Sequence, residues 1–339
     1  MQMPGVDSGS RGIRNVWACH VLKTNERVGR RGKVELAFFA AAVLASACAQ
    51  MPEVENMDKA YGALKERIVE RIRLWPGLAP HEGTDSPGRY VYDDRVKTWR
   101  RRDVSCPELV ILRPTGKPRD TIVIVMPGGG YDSQYMGHIC RDSLPILDSE
   151  RWVAVLHYRI PRRKGRNIYD APREDAARAI RILRANAGRL GFSPEKIGAV
   201  GYSAGAHLAA ISAVSSQDAL YGKIDGLDDL SAHLNFAVPV YPAYVADDGK
   251  TGRNEHGGDG AAILPEFKFD AKTPPMSMLH GDKDYYSPMA SVLIYTELHR
   301  RKIPAQLFVY ANVSHGLGDA VNVKGWQRRI VDWIESIGF

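Results

Sequence analysis

The chain has 339 residues, 44% of them hydrophobic and 25% charged, a composition that excludes a disordered or fibrous protein and suffices for one large core. Its formal net charge is +7, but residues 1–50 contribute +4 of this through seven Lys/Arg and three Asp/Glu, which leaves only +3 for the rest. Because no RNP-like, zinc-finger or helix-turn-helix pattern accompanies the charge, nucleic-acid binding is not expected, and the four cysteines lack the spacing of a metal site.

Residues 1–50 are predicted to be a targeting segment. A basic stretch, RRGK at 30–33, precedes an apolar run of 12 residues from Leu36 to Ala47, followed by small residues. A run of this length is too short to span a bilayer, which takes ~20 residues, and is typical of a signal-peptide core. We therefore expect export to the periplasm or the medium, with cleavage after Ala49 or before Cys48, the latter leaving a lipidated membrane tether. The alternative is a buried apolar helix in a cytoplasmic protein.

Residues 51–80 are predicted to form an amphipathic helix and a linker. Apolar side chains recur there at steps of three and four residues over about 20 residues, the spacing of one helix face. Trp75-Pro76-Gly77 ends this helix because proline cannot continue it. The apolar positions are Met57, Tyr61, Leu64, Ile68 and Ile72.

Residues 81–339 are predicted to form one α/β domain, because short apolar runs alternate there with helical stretches. Candidate strands lie at Tyr90–Tyr92, Val96–Trp99, Leu109–Arg113, Thr121–Met126, Trp152–His157, Lys196–Val200, Phe236–Val240, Met276–Leu279 and Gln306–Tyr310. Candidate helices lie at Ala171–Arg189, Ala204–Ser215, Pro288–Arg301 and Gly325–Ile337. The alternation predicts a mostly parallel sheet with helices on both faces and functional loops at the carboxyl ends of its strands.

The strongest motif is Gly201-Tyr202-Ser203-Ala204-Gly205, which lies between a predicted strand and a predicted helix. Glycines on either side of the serine permit a tight, strained turn that lifts the hydroxyl clear of the sheet. A serine becomes a nucleophile only when an imidazole takes its proton and a carboxylate orients that imidazole. The motif therefore predicts Ser203 as a catalytic nucleophile.

Its partners are sought downstream, at other strand ends. His315 follows the last predicted strand and is the predicted base, while Asp282 and Asp284 compete for the orienting carboxylate after strand Met276–Leu279. We favour Asp284, because Asp282 comes so soon after the strand that it is expected to cap the turn. The other histidines, His280 among them, are expected to be structural.

The loop Pro127-Gly128-Gly129-Gly130-Tyr131 follows the apolar strand Thr121–Met126 and is predicted to hold an oxyanion. Without side chains, its backbone can closely approach a tetrahedral intermediate. We assign the donors to the amides of Gly129, Gly130 and Ala204. The alternatives are an ordinary turn and a phosphate-binding loop, of which the second is excluded because the chain has no GxGxxG or GK[ST] pattern.

Together these residues resemble the α/β-hydrolase superfamily and, within it, the bacterial acetylesterase-like branch near the hormone-sensitive-lipase group. The resemblance covers about residues 74–339 and is carried by LWPGLAP (74–80), VSCPELVILRP (104–114), MPGGGY (126–131), LHYRIP (156–161), the stretch 170–210 around GYSAG, TPPMSMLHGDKD (273–284) and VSHGLG (313–318). It implies an α/β-hydrolase fold without a large cap domain, a triad of Ser203, Asp284 and His315, and oxyanion glycines at Gly129 and Gly130. It also implies hydrolysis of short acyl, often acetyl, esters, some of carbohydrate, with no metal or organic cofactor.

Substrate contacts are predicted less directly. Arg162 and Arg163 lie in a basic loop after strand Trp152–His157, where they can face an anionic substrate such as a uronate or sulfate ester or simply form a solvated loop. Tyr131 and Tyr202, beside the oxyanion and nucleophile glycines, are further candidates, and the polar segment 243–272 is predicted to be a lid rather than a metal cluster. The alternatives to an esterase are a serine peptidase of the same fold and a non-catalytic binding protein.

Overall fold

This computed structural model describes residues 53–247, 262–318 and 321–339 of the chain. Within these ranges the chain forms thirteen strands and seven α-helices. In chain order the strands are β1 (Ile68–Arg73), β2 (Arg89–Asp93), β3 (Thr98–Arg102), β4 (Glu108–Leu112), β5 (Ile122–Met126), β6 (Gln134–Tyr135), β7 (Trp152–His157), β8 (Ile197–Tyr202), β9 (Phe236–Val240), β10 (Ala246–Asp247), β11 (Ala262–Ile263), β12 (Met276–Gly281) and β13 (Ala305–Tyr310). The α-helices are α1 (Met57–Tyr61), α2 (Gly137–Cys140), α3 (Leu144–Asp148), α4 (Asp170–Leu190), α5 (Ala204–Val214), α6 (Met289–Arg300) and α7 (Trp326–Ser336).

Eight of the strands form one sheet in the order β1-β4-β7-β5-β8-β9-β12-β13. Strand β4 runs antiparallel to both of its neighbours, β1 and β7. From β7 to β13 every pairing is parallel. The predicted mostly parallel sheet is therefore confirmed, and the carboxyl ends of β5, β8, β9, β12 and β13 lie along one edge.

Helices cover both faces of this sheet, as predicted. All five residues of β5 are buried, and their side chains alternate between two apolar clusters. Ile122, Ile124 and Met126 join the cluster that contains α4, α5 and α6, whereas Val123 and Val125 join the cluster that contains α7. A strand enclosed in this way has to be apolar throughout, which is why it reads IVIVM.

The predicted long helix at residues 57–75 is wrong. Only α1 and a 3₁₀ turn at Gly62–Arg67 are helical, and the chain then continues as strand β1. β1 pairs with β4, placing Ile68 opposite Leu112 and Ile72 opposite Leu109. Its β-branched residues suit a strand, and the pairing also satisfies the backbone of β4, which would otherwise be a sheet edge. Local periodicity could not reveal this partner.

A second sheet has three strands in the order β2-β3-β6. Its last strand, β6, follows the predicted oxyanion loop in the chain. β3 begins two residues later than predicted, at Thr98.

Within the described ranges the connections between strands contain no separate cap domain. None of the helices there combines the length and the apolar character that a membrane span requires. The predicted targeting segment 1–50 and residues 248–261 of the predicted lid lie outside the described residues.

Candidate active site

Ser203 occupies a strained turn between β8 and α5. Its backbone has φ +55° and ψ −117°, a conformation that non-glycine residues rarely adopt. The flanking glycines are required because a Cβ on Gly201 would lie 2.1 Å from the Gly205 carbonyl oxygen, and one on Gly205 would lie 2.0 Å from that of Met126. The side chain is thereby presented at the carboxyl edge of the sheet, the position predicted from the motif.

His315 connects this serine to a carboxylate. Its Nε2 lies 2.9 Å from Ser203 Oγ, and its Nδ1 lies 2.9 and 2.8 Å from the two carboxylate oxygens of Asp284. Since a carboxylate only accepts, Nδ1–H donates to Asp284 and leaves Nε2 free to accept the Ser203 proton. The structure thus brings the three predicted catalytic side chains into one hydrogen-bonded array, although His315 lies 112 residues from Ser203 in the sequence.

Asp284, rather than Asp282, contacts the imidazole. Asp282 Oδ1 instead accepts the Val313 amide at 3.2 Å and so holds the loop that carries His315. Asp284 is 7% exposed. Burial alone would raise its pKa, but hydrogen bonds from His280 and His315 lower the pKa below the ordinary 3.8. Asp284 is therefore ionised at neutral pH and can balance the charge of a protonated His315 imidazole.

His280 was expected to be merely structural, yet it is a second imidazole at this carboxylate. Its Nε2 lies 2.9 Å from the Tyr286 carbonyl oxygen and 3.4 Å from Asp284 Oδ2. A carbonyl can only accept, so Nε2 carries a proton, while Nδ1 accepts from the Ser291 hydroxyl at 2.8 Å. The four-residue spacing of His280 and Asp284 was the only sequence signal for this contact.

The glycine loop is shaped to present free amides. Gly129 and Gly130 have φ +136° and +67°, and a Cβ on Gly129 would lie 2.1 Å from the Ser133 carbonyl oxygen. The Gly128 amide donates to His138 Nδ1 at 3.0 Å and is therefore not available. The amides of Gly129, Gly130 and Ala204 donate to no acceptor among the described residues. They remain the predicted oxyanion donors.

A buried chain of hydrogen bonds, here called the loop-support network, holds this loop from below; it consists of Tyr61, His157, Gln134 and Tyr158. The Tyr158 hydroxyl donates to the Pro127 carbonyl at 2.5 Å, and the Gln134 amide donates to the Tyr158 carbonyl at 2.8 Å. His157 bridges Gln134 Oε1 (2.5 Å) and the Tyr61 hydroxyl (2.7 Å). Burial holds the pKa of His157 well below its ordinary value, so its unprotonated Nε2 accepts from Tyr61.

Of the two predicted arginine contacts, only Arg162 reaches the loop. Its Nε donates to the Gly130 carbonyl at 3.0 Å and its Nη2 to the Tyr244 hydroxyl at 3.0 Å, while the side chain remains 33% exposed. Arg163 instead forms an ion pair with Glu82 at 2.7 Å and also donates to the Val104 carbonyl. The structure therefore places Arg162 at the rim of the site and directs Arg163 away from it.

The prediction that Tyr131 and Tyr202 contact substrate is wrong for their side chains, because both are fully buried. The Tyr131 hydroxyl contacts His207 Nδ1 at 2.8 Å, within the core beneath the loop. The Tyr202 ring stacks on His138, with ring centroids 4.7 Å apart, in the apolar cluster on the opposite sheet face. Position beside a functional glycine did not indicate which way these side chains point.

Tyrosines surround the imidazole, and sequence reasoning did not identify them. Tyr241, Tyr285 and Tyr286 have ring centroids 5.0, 4.7 and 5.2 Å from that of His315. The Tyr286 hydroxyl lies 3.1 Å from that of Tyr244, and Tyr244 in turn contacts Arg162. All four follow the carboxyl ends of β9 and β12, the one signal that marked them. Within the residues described, no group of His, Cys, Asp or Glu side chains has the arrangement of a metal site.

Comparison with known proteins points to a consistent set of relatives. Residues 109–244 match the family model described as BD-FAE. The chain is 23% identical over 266 residues to the probable carboxylic ester hydrolase LipM of Mycobacterium tuberculosis, covering 72% of this chain and 57% of that protein. It is 24% identical over 242 residues to an acetylxylan esterase of Xylanibacter ruminicola, covering 65% of this chain and 46% of that protein.

Among solved structures, an acetyl ester-xyloside bifunctional hydrolase from Caldicellulosiruptor lactoaceticus superposes with a TM-score of 0.61 and 26% identity, covering 80% of this chain and 97% of that one. The chain spans about half the length of the curated relatives it matches, 57% and 46% for the two described above. The likeness to these two curated relatives therefore applies to part of each relative and not to its whole length.

Proposed function

We propose that this member of the α/β-hydrolase superfamily is a serine carboxylic-ester hydrolase that removes short acyl groups, acetyl in the first place, through an acyl-enzyme. One observation carries the proposal: Ser203 Oγ lies 2.9 Å from His315 Nε2 while Asp284 holds the other ring nitrogen. A non-catalytic binding protein has no need to maintain this strained and complete array.

In the first half-reaction, Ser203 Oγ attacks the ester carbonyl carbon as its proton passes to His315 Nε2. The carbonyl oxygen becomes an oxyanion and binds the amides of Gly129, Gly130 and Ala204. Asp284 stabilises the imidazolium that forms. His315 then gives the proton to the alcohol oxygen, the carbon–oxygen bond breaks, and the acyl group remains on Ser203.

In the second half-reaction, a water molecule gives a proton to His315 Nε2 and adds to the acyl carbon. The same amides hold the oxyanion, the bond to Ser203 Oγ breaks, and His315 returns its proton to that oxygen. The net change is ester plus water to acid plus alcohol. Each lost oxyanion donor is expected to cost about 3 kcal/mol of transition-state stabilisation.

The substrate is proposed to be an acetyl ester of a carbohydrate. Two relatives support this, since their names are acetylxylan esterase and acetyl ester-xyloside bifunctional hydrolase. The described residues contain no separate cap domain, and a site without one would suit a short acyl group on a bulky alcohol. Neither a metal nor an organic cofactor enters the proposed reaction.

A matched ester series tests the function. The protein is expected to hydrolyse p-nitrophenyl acetate faster than the butyrate and octanoate, and to release acetate from acetylated xylan. Ser203→Ala should lower kcat by on the order of 10⁵-fold or more. A p-nitroanilide peptide tests the peptidase alternative. An alanine variant with wild-type turnover, or preference for the anilide, would contradict the proposal.

We also propose that Arg162 favours substrates with a negative charge, such as uronate esters. It lies at the rim, bonded to Gly130, and its partner Asp132 is 3.6 Å away. Arg162→Glu should raise KM for an anionic ester more than for a neutral one, whereas Lys164→Glu in the same loop should change the ratio of the two little. Because Arg162 also supports the loop, only this ratio is diagnostic; an unchanged ratio would dismiss the charge preference.

Export of the chain is a further proposal, supported only by the basic and apolar pattern of residues 30–47. The test is fractionation of expressing bacteria. Mature protein in the periplasm or medium is expected, and Cys48→Ser should release a membrane-bound fraction if that cysteine is lipidated. Full-length protein confined to the cytoplasm would contradict export.

A further inference from the structure

Tyr285 is an exposed aromatic residue beside the catalytic base. Its ring centroid lies 4.7 Å from that of His315, yet the residue is 55% exposed. The exposure follows from the turn that begins at Asp284, whose Oδ1 accepts the Tyr286 amide at 2.8 Å and places Tyr285 at the tip. The same carboxylate that orients His315 thus presents an aromatic side chain to solvent.

The other tyrosines around His315 are already engaged. Tyr241 is buried and its hydroxyl contacts His138 Nε2 at 3.2 Å. The Tyr286 hydroxyl contacts that of Tyr244. The Tyr285 ring packs against those of Tyr286 and His315, with centroids 4.6 and 4.7 Å apart, but its hydroxyl has no hydrogen bond to any described residue and the residue is 55% exposed. Of these three neighbours of the imidazole, Tyr285 is the exposed one, so part of its ring and its hydroxyl are available to a substrate.

The proposed reaction determines which part of the ester lies there. His315 Nε2 must protonate the alcohol oxygen, so the alcohol leaves on the His315 side of Ser203. The oxyanion lies toward Gly130, where a Cβ added to that glycine would be 3.8 Å from the Tyr244 hydroxyl and 3.9 Å from Arg162 Nη2. Tyr285 therefore flanks the alcohol and not the oxyanion.

We infer that Tyr285 is a stacking platform that binds the pyranose ring of the alcohol part of the substrate, an inference that rests on the proposed esterase function. One face of a pyranose consists of C–H groups and suits an aromatic ring, while the ring hydroxyls can bond the tyrosine hydroxyl. A small acyclic alcohol has no such face. Tyr285 is thus a specificity-determining residue that selects the alcohol and takes no part in proton transfer.

The experiment uses two esters with the same acetyl group and different alcohols, acetylated xylotriose and ethyl acetate. Tyr285→Ala is expected to raise KM for the sugar ester by about fivefold to tenfold, the range of one lost aromatic contact, and to change KM for ethyl acetate less than about twofold. Tyr285→Phe should retain most of the sugar preference. Tyr92→Ala, which removes another exposed aromatic residue (43% exposed), is the matched control and should alter neither.

The affinity for xylotriose can be measured without turnover, and it tests the role of Tyr285 independently of the kinetics. In a Ser203→Ala background, titration calorimetry with xylotriose should show weaker binding once Tyr285 is also replaced by alanine. Equal losses on both esters, or unchanged xylotriose affinity, would overturn the platform while leaving the esterase proposal intact. Absence of turnover on every ester in the wild type would instead overturn the esterase proposal, whatever the affinity for xylotriose.

Discussion

At the residue scale, Asp284 is the most constrained group of the site. It accepts hydrogen bonds from the His315 ring, from the Tyr286 amide and, at longer range, from His280. A carboxylate with several donors has a defined orientation, and that orientation sets the angle at which the His315 imidazole faces Ser203. Its lowered pKa is the electrostatic consequence of the same contacts.

The assignment of the carboxylate is tested by a pair of variants. Asp284→Asn should lower kcat by about 10⁴-fold, because the amide holds the imidazole in the wrong tautomer. Asp282→Asn keeps an Oδ1 oxygen that can accept the Val313 amide and removes only the negative charge, so it should cost about fivefold or less. Steady-state kinetics on p-nitrophenyl acetate distinguishes them, and a reversed order of the two effects would transfer the role to Asp282.

His280 is expected to act as a positioning residue through Asp284. His280→Met removes the donor and should lower kcat by about tenfold, the loss of one hydrogen bond to a charged group, with little change in KM. His280→Gln carries an amide donor near the same position and should restore most of the rate. If both variants lose activity equally, or if KM rises with kcat unchanged, the residue serves the core only.

At the scale of elements, the oxyanion loop depends on parts of the chain that are far from it in sequence. The loop-support network joins α1, the carboxyl end of β7, β6 and the loop itself through fully buried side chains. Buried polar groups are costly when one partner is lost, so this network rigidifies the loop only while it is complete. The segment that precedes β1, which carries Tyr61, is thereby linked to the sheet edge at which Ser203 lies.

Removing one hydroxyl tests this link. Tyr158→Phe keeps the ring but leaves the Pro127 carbonyl without its donor, and kcat should fall by about tenfold as the glycine amides lose their alignment, with KM nearly unchanged. Tyr295→Phe, on α6, is the matched control and should be silent. A Tyr158→Phe enzyme with a wild-type kcat would show that the loop holds its shape without the network.

At the scale of the whole molecule, two buried arginines of α4 pair with partly buried carboxylates in the connection that follows α5. Arg173 contacts Asp218 at 2.7 Å, and Arg178 contacts Asp228 at 3.0 Å. Burial alone would raise the pKa of both carboxyls, but hydrogen bonds and ion pairs lower both below the ordinary 3.8. These contacts hold together segments that no sheet pairing joins.

The lowered pKa values predict acid sensitivity. A carboxyl whose pKa is lower in the folded state contributes stability that is fully present above its unfolded value of 3.8 and is lost as pH falls through the folded value. Urea unfolding at pH 7, 5, 4 and 3 should therefore show a falling free energy of unfolding below about pH 4. The double variant Asp218→Asn, Asp228→Asn should be less stable at pH 7 and lose less on acidification; an unchanged pH dependence would contradict this.

The local sequence by itself determined the nucleophile, the buried strand β5 and the glycines of the oxyanion loop. Ser203 was identifiable because its flanking glycines, the strand before it and the helix after it are all neighbours along the chain, and a strained turn requires just those neighbours. The apolar run of β5 and the glycines at 129 and 130 were readable for the same reason, since burial on both faces and close backbone approach restrict residue type directly.

Tertiary structure alone decided the rest. Ile68–Arg73 became a strand because β4 offered an edge, although its periodicity suited a helix. The sequence favoured Asp284 over Asp282, whereas the contact of His280 and the exposure of Tyr285 depend on how β12 and the loops that follow β12 and β13 meet in space. Such contacts join residues distant in sequence, and a pattern along one chain specifies residue types at intervals but not the partner that each side chain will face.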